Sequence, residues 1–240
     1  MMAKPNETIA LEDKFFTGIA GEDYSIEDLE NALDQGMNVD ATLEGEGCEI
    51  NLLATFMIND DARFVKTLLA CKPNLEQMLM VEHETKVTSL MVAIYSKSYD
   101  MAQLVLEAGA NPNAENIIEK GGVGKTALMV LLENLETDLD FKCDDNLKAN
   151  ALKTVVSLLE ARAKVSLKNE DGRTALDLAQ GLGDSSIITL LEANLKKEKQ
   201  EAFNLKAQKQ KVVFQENIQK ISGNKALKPR RRPISNGKSV

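Results

Sequence analysis

The residues of this chain best placed to do chemistry lie in Lys120-Gly121-Gly122-Val123-Gly124-Lys125-Thr126, where two lysines flank a glycine-rich turn. Such a run can cradle a phosphate: consecutive backbone N–H groups point at the anion, a lysine neutralises its charge, and the threonine hydroxyl ligates magnesium at a helix start. That arrangement needs a buried β-strand leading into the loop. The preceding residues, Gly109 to Glu119, instead hold Pro112 among Asn and Glu side chains, which predicts a turn. Glu119 would set a carboxylate against the phosphate, and no apolar strand ending in a magnesium-binding Asp follows. His83, the single histidine, sits between Glu82 and Glu84 with no second histidine at ligand spacing, so it reads as a solvated loop residue. No Ser/His/Asp or Cys/His group assembles around it. Cys48, Cys71 and Cys143 are odd in number and lack CxxC spacing, which argues against a zinc site or a disulfide framework. The acidic stretch Glu133 to Asp145 lacks the glycine and distal glutamate of a calcium loop and reads as a solvated loop. These residues point to no catalytic group, no metal and no cofactor.

What positions them is a helical unit that recurs. Thr88-Ser89-Leu90-Met91-Val92-Ala93, Thr126-Ala127-Leu128-Met129-Val130-Leu131 and Thr174-Ala175-Leu176-Asp177-Leu178-Ala179 each open on Thr, a small residue and Leu. In the unit that Thr88 starts, Met101, Leu104, Val105 and Leu106 give a second helix an apolar stripe. Gly109 then suits the left-handed position after a helix end, and Pro112 prevents continuation. Units of this kind stack, because none can bury its apolar face alone. The composition agrees: 43% of residues are hydrophobic, only 4% are aromatic and Trp is absent, which suits helices meeting through small side chains.

The run from Thr88 to Ala114 resembles an ankyrin repeat, whose pattern is T-P-L-H-x-A, a second helix rich in V and L, then G-A-D-x-N. Asp171-Gly172-Arg173-Thr174-Ala175-Leu176 resembles the same family's hairpin turn and helix start, with Ile187, Ile188, Leu190 and Leu191 as its second helix. A further unit runs from Gly124-Lys125-Thr126-Ala127-Leu128 to Val155 through Ala163, with about 15 additional residues between its helices. Arg162, like Lys72 in an earlier unit, stands where Gly is expected and must accept an uncommon backbone angle or shift the turn. Two degenerate units precede, Ile26 to Ala41 and about Asn51 to Leu75. The family's His is replaced by Met91, Met129 and Asp177. The resemblance implies an all-α fold, an ankyrin-repeat solenoid of about five units over residues 14–195 with outward hairpin fingers, and a role in binding another protein. Lys120 to Thr126 also resembles the deviant Walker A loop of partitioning-type ATPases, yet Gly124 to Leu128 is fully accounted for as a unit start. Against the family spacing, the fingers at about 42–50, 78–87 and 115–125 are a few residues too long, whereas finger 168–173 has ordinary length. Insertions tend to mark the working side of such arrays. Expected partner-binding residues are therefore Met80, Glu82, His83, Ile117, Ile118 and Lys120 at finger tips, with Tyr95 on the adjoining inner-helix face.

Charge divides the chain. The net charge is −8, but residues 196–240 alone carry +10 and the remainder −18. An N-terminal segment (1–13) and the repeat domain (14–195) are followed by a basic helix (196–222), with Phe203, Ala207, Phe214, Ile218 and Ile221 at three- or four-residue steps, and a disordered basic tail (223–240). The simplest role of that helix is to cap the open end of the array; the alternative is contact with an acidic partner or an anionic membrane. An acidic body is poorly suited to nucleic acid. With no secretory signal or membrane span visible, the reading is a monomeric, cytoplasmic, non-enzymatic adaptor that binds another protein. Two alternatives stand beside it: a phosphate-loop nucleotide-binding protein built on Lys120 to Thr126, and a secreted bacterial effector acting on host proteins.

Overall fold

The computed structural model describes residues 25–45, 48–82, 85–118, 124–138 and 144–224. The expected N-terminal segment 1–13, the residues His83 and Lys120, and the tail beyond residue 224 lie outside the described residues. The chain divides into two units, Met1–Leu195 and Lys196–Val240.

In the first unit, caps and turns cut the chain into short helices. α1 (Ile26–Asp34) starts at Ser25, whose hydroxyl accepts the Asp28 N–H while the Asp28 carboxylate accepts the Ser25 N–H. Three pairs follow: α2 (Leu52–Ile58) with α3 (Ala62–Ala70), α4 (Ser89–Tyr95) with α5 (Tyr99–Glu107), and α6 (Ala127–Thr137) with α7 (Asp145–Glu160). After them come α8 (Ala175–Leu182) and α9 (Ser185–Asn224). The first helices stack, α2 on α4, α4 on α6 and α6 on α8, and the second helices stack from α1 through α3 and α5 to α7. The first helices are apolar nearly all round: Ser89 to Ile94 are buried in α4, and Ala127 to Leu132 in α6. A helix of that kind is stable only with neighbours on its several sides. Each fully buried Leu or Met, such as Leu90, Met91, Leu128 and Met129, contributes about 1.5–3 kcal/mol to that stacking.

Between pairs, a repeated polar stitch ties one turn to the next. Asp40 Oδ1 accepts the Asn74 N–H at 2.7 Å, Glu76 Oε1 accepts the Asn111 N–H at 2.7 Å, and Asn113 Oδ1 accepts the Lys164 N–H at 2.7 Å. Each stitching residue is itself held by an Asn two positions earlier, Asn38, Asn74 or Asn111, whose side-chain oxygen accepts its N–H. Asn113 also donates from Nδ2 to the Arg162 carbonyl at 2.9 Å. Arg162 and Lys72 take the uncommon angle that their positions require, with φ of +68° and +55°, where Gly36 and Gly109 occupy the matching turns. Arg162→Gly is therefore expected to stabilise the chain by about 0.5 to 1 kcal/mol, relief of left-handed strain outweighing the greater entropy of an unfolded glycine. Urea denaturation of the two proteins measures it.

The helices that begin after a Thr differ in how well they are capped, and the third helical residue separates them. In α8 the Thr174 hydroxyl accepts the Asp177 N–H and the Asp177 carboxylate accepts the Thr174 N–H at 2.7 Å. In α4 and α6 that third residue is Met91 or Met129, and the buried hydroxyls of Thr88 and Thr126 find no partner. Thr88→Val should thus be neutral or stabilise by up to about 1 kcal/mol, whereas Thr174→Ala should cost about 1 kcal/mol. The Thr174 side-chain and backbone hydrogen bonds hold the Asp177 carboxyl below the usual aspartate range, helped by the charges of Lys168 and Arg173. The stability this carboxylate confers is present above its unfolded-state pKa, near pH 4, and fades as pH falls through the lower folded-state value. Asp177→Asn should remove that part of the acid-side slope in denaturation curves.

The long fingers correct the all-α expectation. β1 (Thr42–Gly45), β2 (Cys48–Asn51), β3 (Leu79–Glu82), β4 (Thr85–Val87) and β5 (Ile117–Ile118) form one five-stranded antiparallel sheet in sequence order. Buried Leu79 and Val87, paired across β3 and β4, anchor it to the core. The added residues expose enough backbone N–H and C=O groups to bond from finger to finger. The short finger makes only the isolated bridge Lys168↔Thr174.

The acidic stretch also departs from expectation. Glu133 to Thr137 is helical, the Asp138 side chain is 8% exposed and pairs with Lys97 at 2.6 Å, and Asp144 caps α7. The inserted length is partly absorbed by longer helices, 11 residues in α6 and 16 in α7 against 7 in α4 and 9 in α5. Residues 139–143 lie outside the described set. The basic helix expected from residue 196 has no start of its own, because α9 runs unbroken from Ser185 to Asn224.

Candidate functional site

Gly124-Lys125-Thr126, the described part of the phosphate-loop-like run, is the returning side of a finger. Buried Asn116 sits at the finger's base, its N–H donating to the Lys125 carbonyl at 3.0 Å and its Oδ1 accepting the Lys125 N–H at 2.5 Å. Asn169 makes the same two bonds with Arg173, at 3.0 Å and 2.9 Å. Gly124-Lys125-Thr126 is thus the counterpart of Gly172-Arg173-Thr174, and both threonines stand at the N-cap position of the following helix. The Lys125 amide, which a phosphate loop would aim at its anion, is already bonded to Asn116. The strand before it, β5, is a two-residue member of an antiparallel sheet, not the buried parallel strand that such a loop follows. The resemblance to a phosphate loop comes from a finger return that needs a glycine, followed by the threonine that opens the next helix.

The Lys125 ammonium is engaged as well. Nζ lies 2.7 Å from Glu133 Oε2, with the two side chains 25% and 20% exposed. Burial pulls the Lys125 pKa down, but the hydrogen bond and charge of Glu133, with Tyr95 and Glu170 nearby, outweigh it and hold the value above the usual lysine range. A lysine held charged in this way is a pairing group and not a nucleophile. Glu133 Oε1 is buried and accepts no bond.

Tyr95 and Glu133 occupy equivalent places, each seven residues after its helix cap, Thr88 or Thr126. The same count from Asn51 and Thr174 gives Ile58 and Gly181. Because the first helices stack in order, these four positions form a row along them. Ile58 and Tyr95 are 47% and 43% exposed, large apolar surfaces at one end of the row. At the other end Glu133 is joined by Glu136, whose Oε1 lies 3.0 Å from where a side chain on Gly181 would begin. The row is apolar on the α2 and α4 side and acidic on the α6 and α8 side.

Of the residues expected at finger tips, Met80 and Ile117 lie within strands. Met80 lies within β3, half-buried, opposite Glu49 on one side and Lys86 on the other. Ile117 follows in register opposite Lys86 and is 49% exposed. The sheet therefore aligns Glu44, Glu49, Met80, Lys86 and Ile117 across five strands, on one face. Glu82 and Ile118 both face Thr85 in the strand pairing, and His83 and Lys120 fall outside the described residues. Tyr95, expected on the inner-helix face, is the last residue of α4. Ile58, Glu133 and Glu136 were not singled out from sequence, although counting seven from each cap finds the first two.

Among the described residues, no group of three or more His, Cys, Asp or Glu side chains is arranged to hold a metal ion. No helix among them is long and apolar enough to cross a membrane. Stacked helix pairs, stitched at their turns and projecting hairpins, define a helical repeat protein. The ankyrin-repeat family profile matches residues 86–117, which hold α4, α5 and the turn after them, so the chain carries an ankyrin repeat there. Such repeats are in general protein–protein interaction modules and are typically non-enzymatic. No curated protein matches the chain.

Proposed function

We propose that the chain is an adaptor or regulatory module, an ankyrin-type solenoid of about five units, that docks another protein on the row of Ile58, Tyr95 and Glu133 and on the neighbouring long fingers. The observation that supports this most is the exposure of Ile58 and Tyr95 at equivalent positions of stacked helices whose other residues are nearly all buried. An exposed aromatic anchor beside carboxylates suits recognition. The favoured partner segment places an apolar residue over Tyr95 and a basic one at Glu136, the latter drawn by the −18 charge of residues 1–195.

A photo-crosslinking residue at position 95 or 117 should give one discrete adduct with a partner, while the same residue at Glu107 on the outer helix α5 should give none. Tyr95→Ala should weaken that complex about 30-fold, the size of a typical aromatic hot spot. Adducts from position 107 together with none from 95 would reverse the assignment of the face.

A further inference from the structure

The second unit presents apolar side chains of its own. On the described part of α9 beyond Leu195, Phe203 is 68% exposed and Phe214 65%, values far above those of core side chains. Lys196, Gln200, Phe203, Ala207, Gln210, Phe214, Asn217 and Ile221 follow one another at steps of 4, 3, 4, 3, 4, 3 and 4 residues, with the large apolar side chains from Phe203 onward. That is the spacing of a seven-residue repeat with two seam positions, the narrow stripe by which one helix packs along another. The positions flanking the seam are the ones that choose the partner. Every charged residue on them is a lysine, namely Lys197, Lys199, Lys206, Lys211 and Lys220. The acidic residues of the segment, Glu198, Glu201 and Glu216, all fall on the opposite side of the helical wheel.

We propose that residues 196–224 form one strand of a coiled coil whose other strand is a helix of a different protein with Glu or Asp flanking its apolar seam. Charge complementarity selects that occupant. Two copies of this segment side by side would set lysine against lysine along both edges, so self-pairing is opposed. A lipid surface would have to bury Gln210, which lies in the middle of the seam, where a second helix accommodates it by side-chain hydrogen bonds and gains a fixed register. The proposal is independent of the docking row on the repeat unit.

The test uses the full chain and two designed helical peptides, each with Leu at the seam and either Glu or Lys at every flanking position. The Glu-flanked peptide should bind with micromolar affinity that weakens steeply with salt, and the Lys-flanked peptide at least 10-fold more weakly. Phe214→Asp should abolish binding without changing the thermal unfolding of the repeats. The triple variant Lys199→Glu, Lys206→Glu, Lys211→Glu should exchange the preference between peptides. Equal binding of both peptides, no binding of either, a dimer of the chain alone in sedimentation, or capture by phosphatidylserine vesicles without peptide binding would each overturn the proposal.

Discussion

Gly124→Ala is expected to destabilise the chain by about 3 kcal/mol, the upper part of the range for forcing a group into filled space. A Cβ at this position would overlap the carbonyl oxygen of Asn116 and come within 2.8 Å of the Glu115 Cβ and 3.1 Å of the Asn116 nitrogen. Two of the three obstacles are backbone atoms of Asn116, on the outgoing side of the finger. They can withdraw only by breaking the bonds between Asn116 and Lys125, which in turn hold Thr126 at the start of α6. For a domain of this size the loss corresponds to a fall in melting temperature of about 6–12 °C. Gly172→Ala provides the comparison. Gly172 is the counterpart of Gly124 in the next finger, but its φ is +74° and a Cβ there would touch nothing within 4 Å. Its substitution should cost only the left-handed backbone penalty, about 1–2 kcal/mol. Equal losses at the two glycines would contradict the close approach assigned to Gly124.

Asn51→Ala should be nearly as costly, about 3 kcal/mol, for a different reason. Asn51 is fully buried, and its Oδ1 caps α2 by accepting the Ala54 N–H at 2.9 Å. Its Nδ2 donates to Gln77 Oε1 at 2.9 Å, and Gln77 Nε2 donates to the Asp40 carbonyl at 3.0 Å, so the pair ties the start of α2 to the turns on either side of its unit. Truncation removes a cap worth about 0.5–2 kcal/mol and leaves the Gln77 oxygen without its donor, which costs about 1–3 kcal/mol more. Asn51→Ser keeps the cap and loses only the Gln77 bond, so it should recover roughly half of the loss. Urea denaturation of both variants, with the slope unchanged, is the measurement. A serine as damaging as the alanine would remove the cap from the account.

The helix starts are legible in the sequence because Thr, a small residue and Leu answer to local geometry: an extended N-cap position, a tight first turn and a buried face. Arg162 is legible for the same reason, since a turn that closes a helix needs a left-handed residue whatever occupies it, and φ of +68° is what the chain adopts. The sheet is not legible. Its pairing joins Glu49 to Met80 and Lys86 to Ile117 across fingers from different units, and that depends on how closely the units stack, not on any alternation within a finger. Tyr95 could be found because its unit begins with a clear Thr88. Ile58 was hidden by a degenerate start, in which Asn51 does the capping usually read from Thr. Glu133 was hidden in an acidic run that reads as loop, because charged residues at a helix end look the same as solvated ones until Lys125 is placed opposite. The phosphate-loop letters misled for a physical reason: a close backbone approach requires the same Gly that anion binding does, and the Thr beside it is the first residue of a repeat's helix start.

The claim on which the rest stands is that Lys125 belongs to a finger return built for stacking. Residue-resolved amide hydrogen exchange of the full chain, with and without millimolar Mg·ATP, tests it most directly. Lys125, bonded to Asn116, should exchange slowly in the free protein, at a rate that nucleotide leaves unchanged. A Lys125 amide that exchanges freely alone and becomes protected when Mg·ATP is added would contradict the account and restore the phosphate-binding reading.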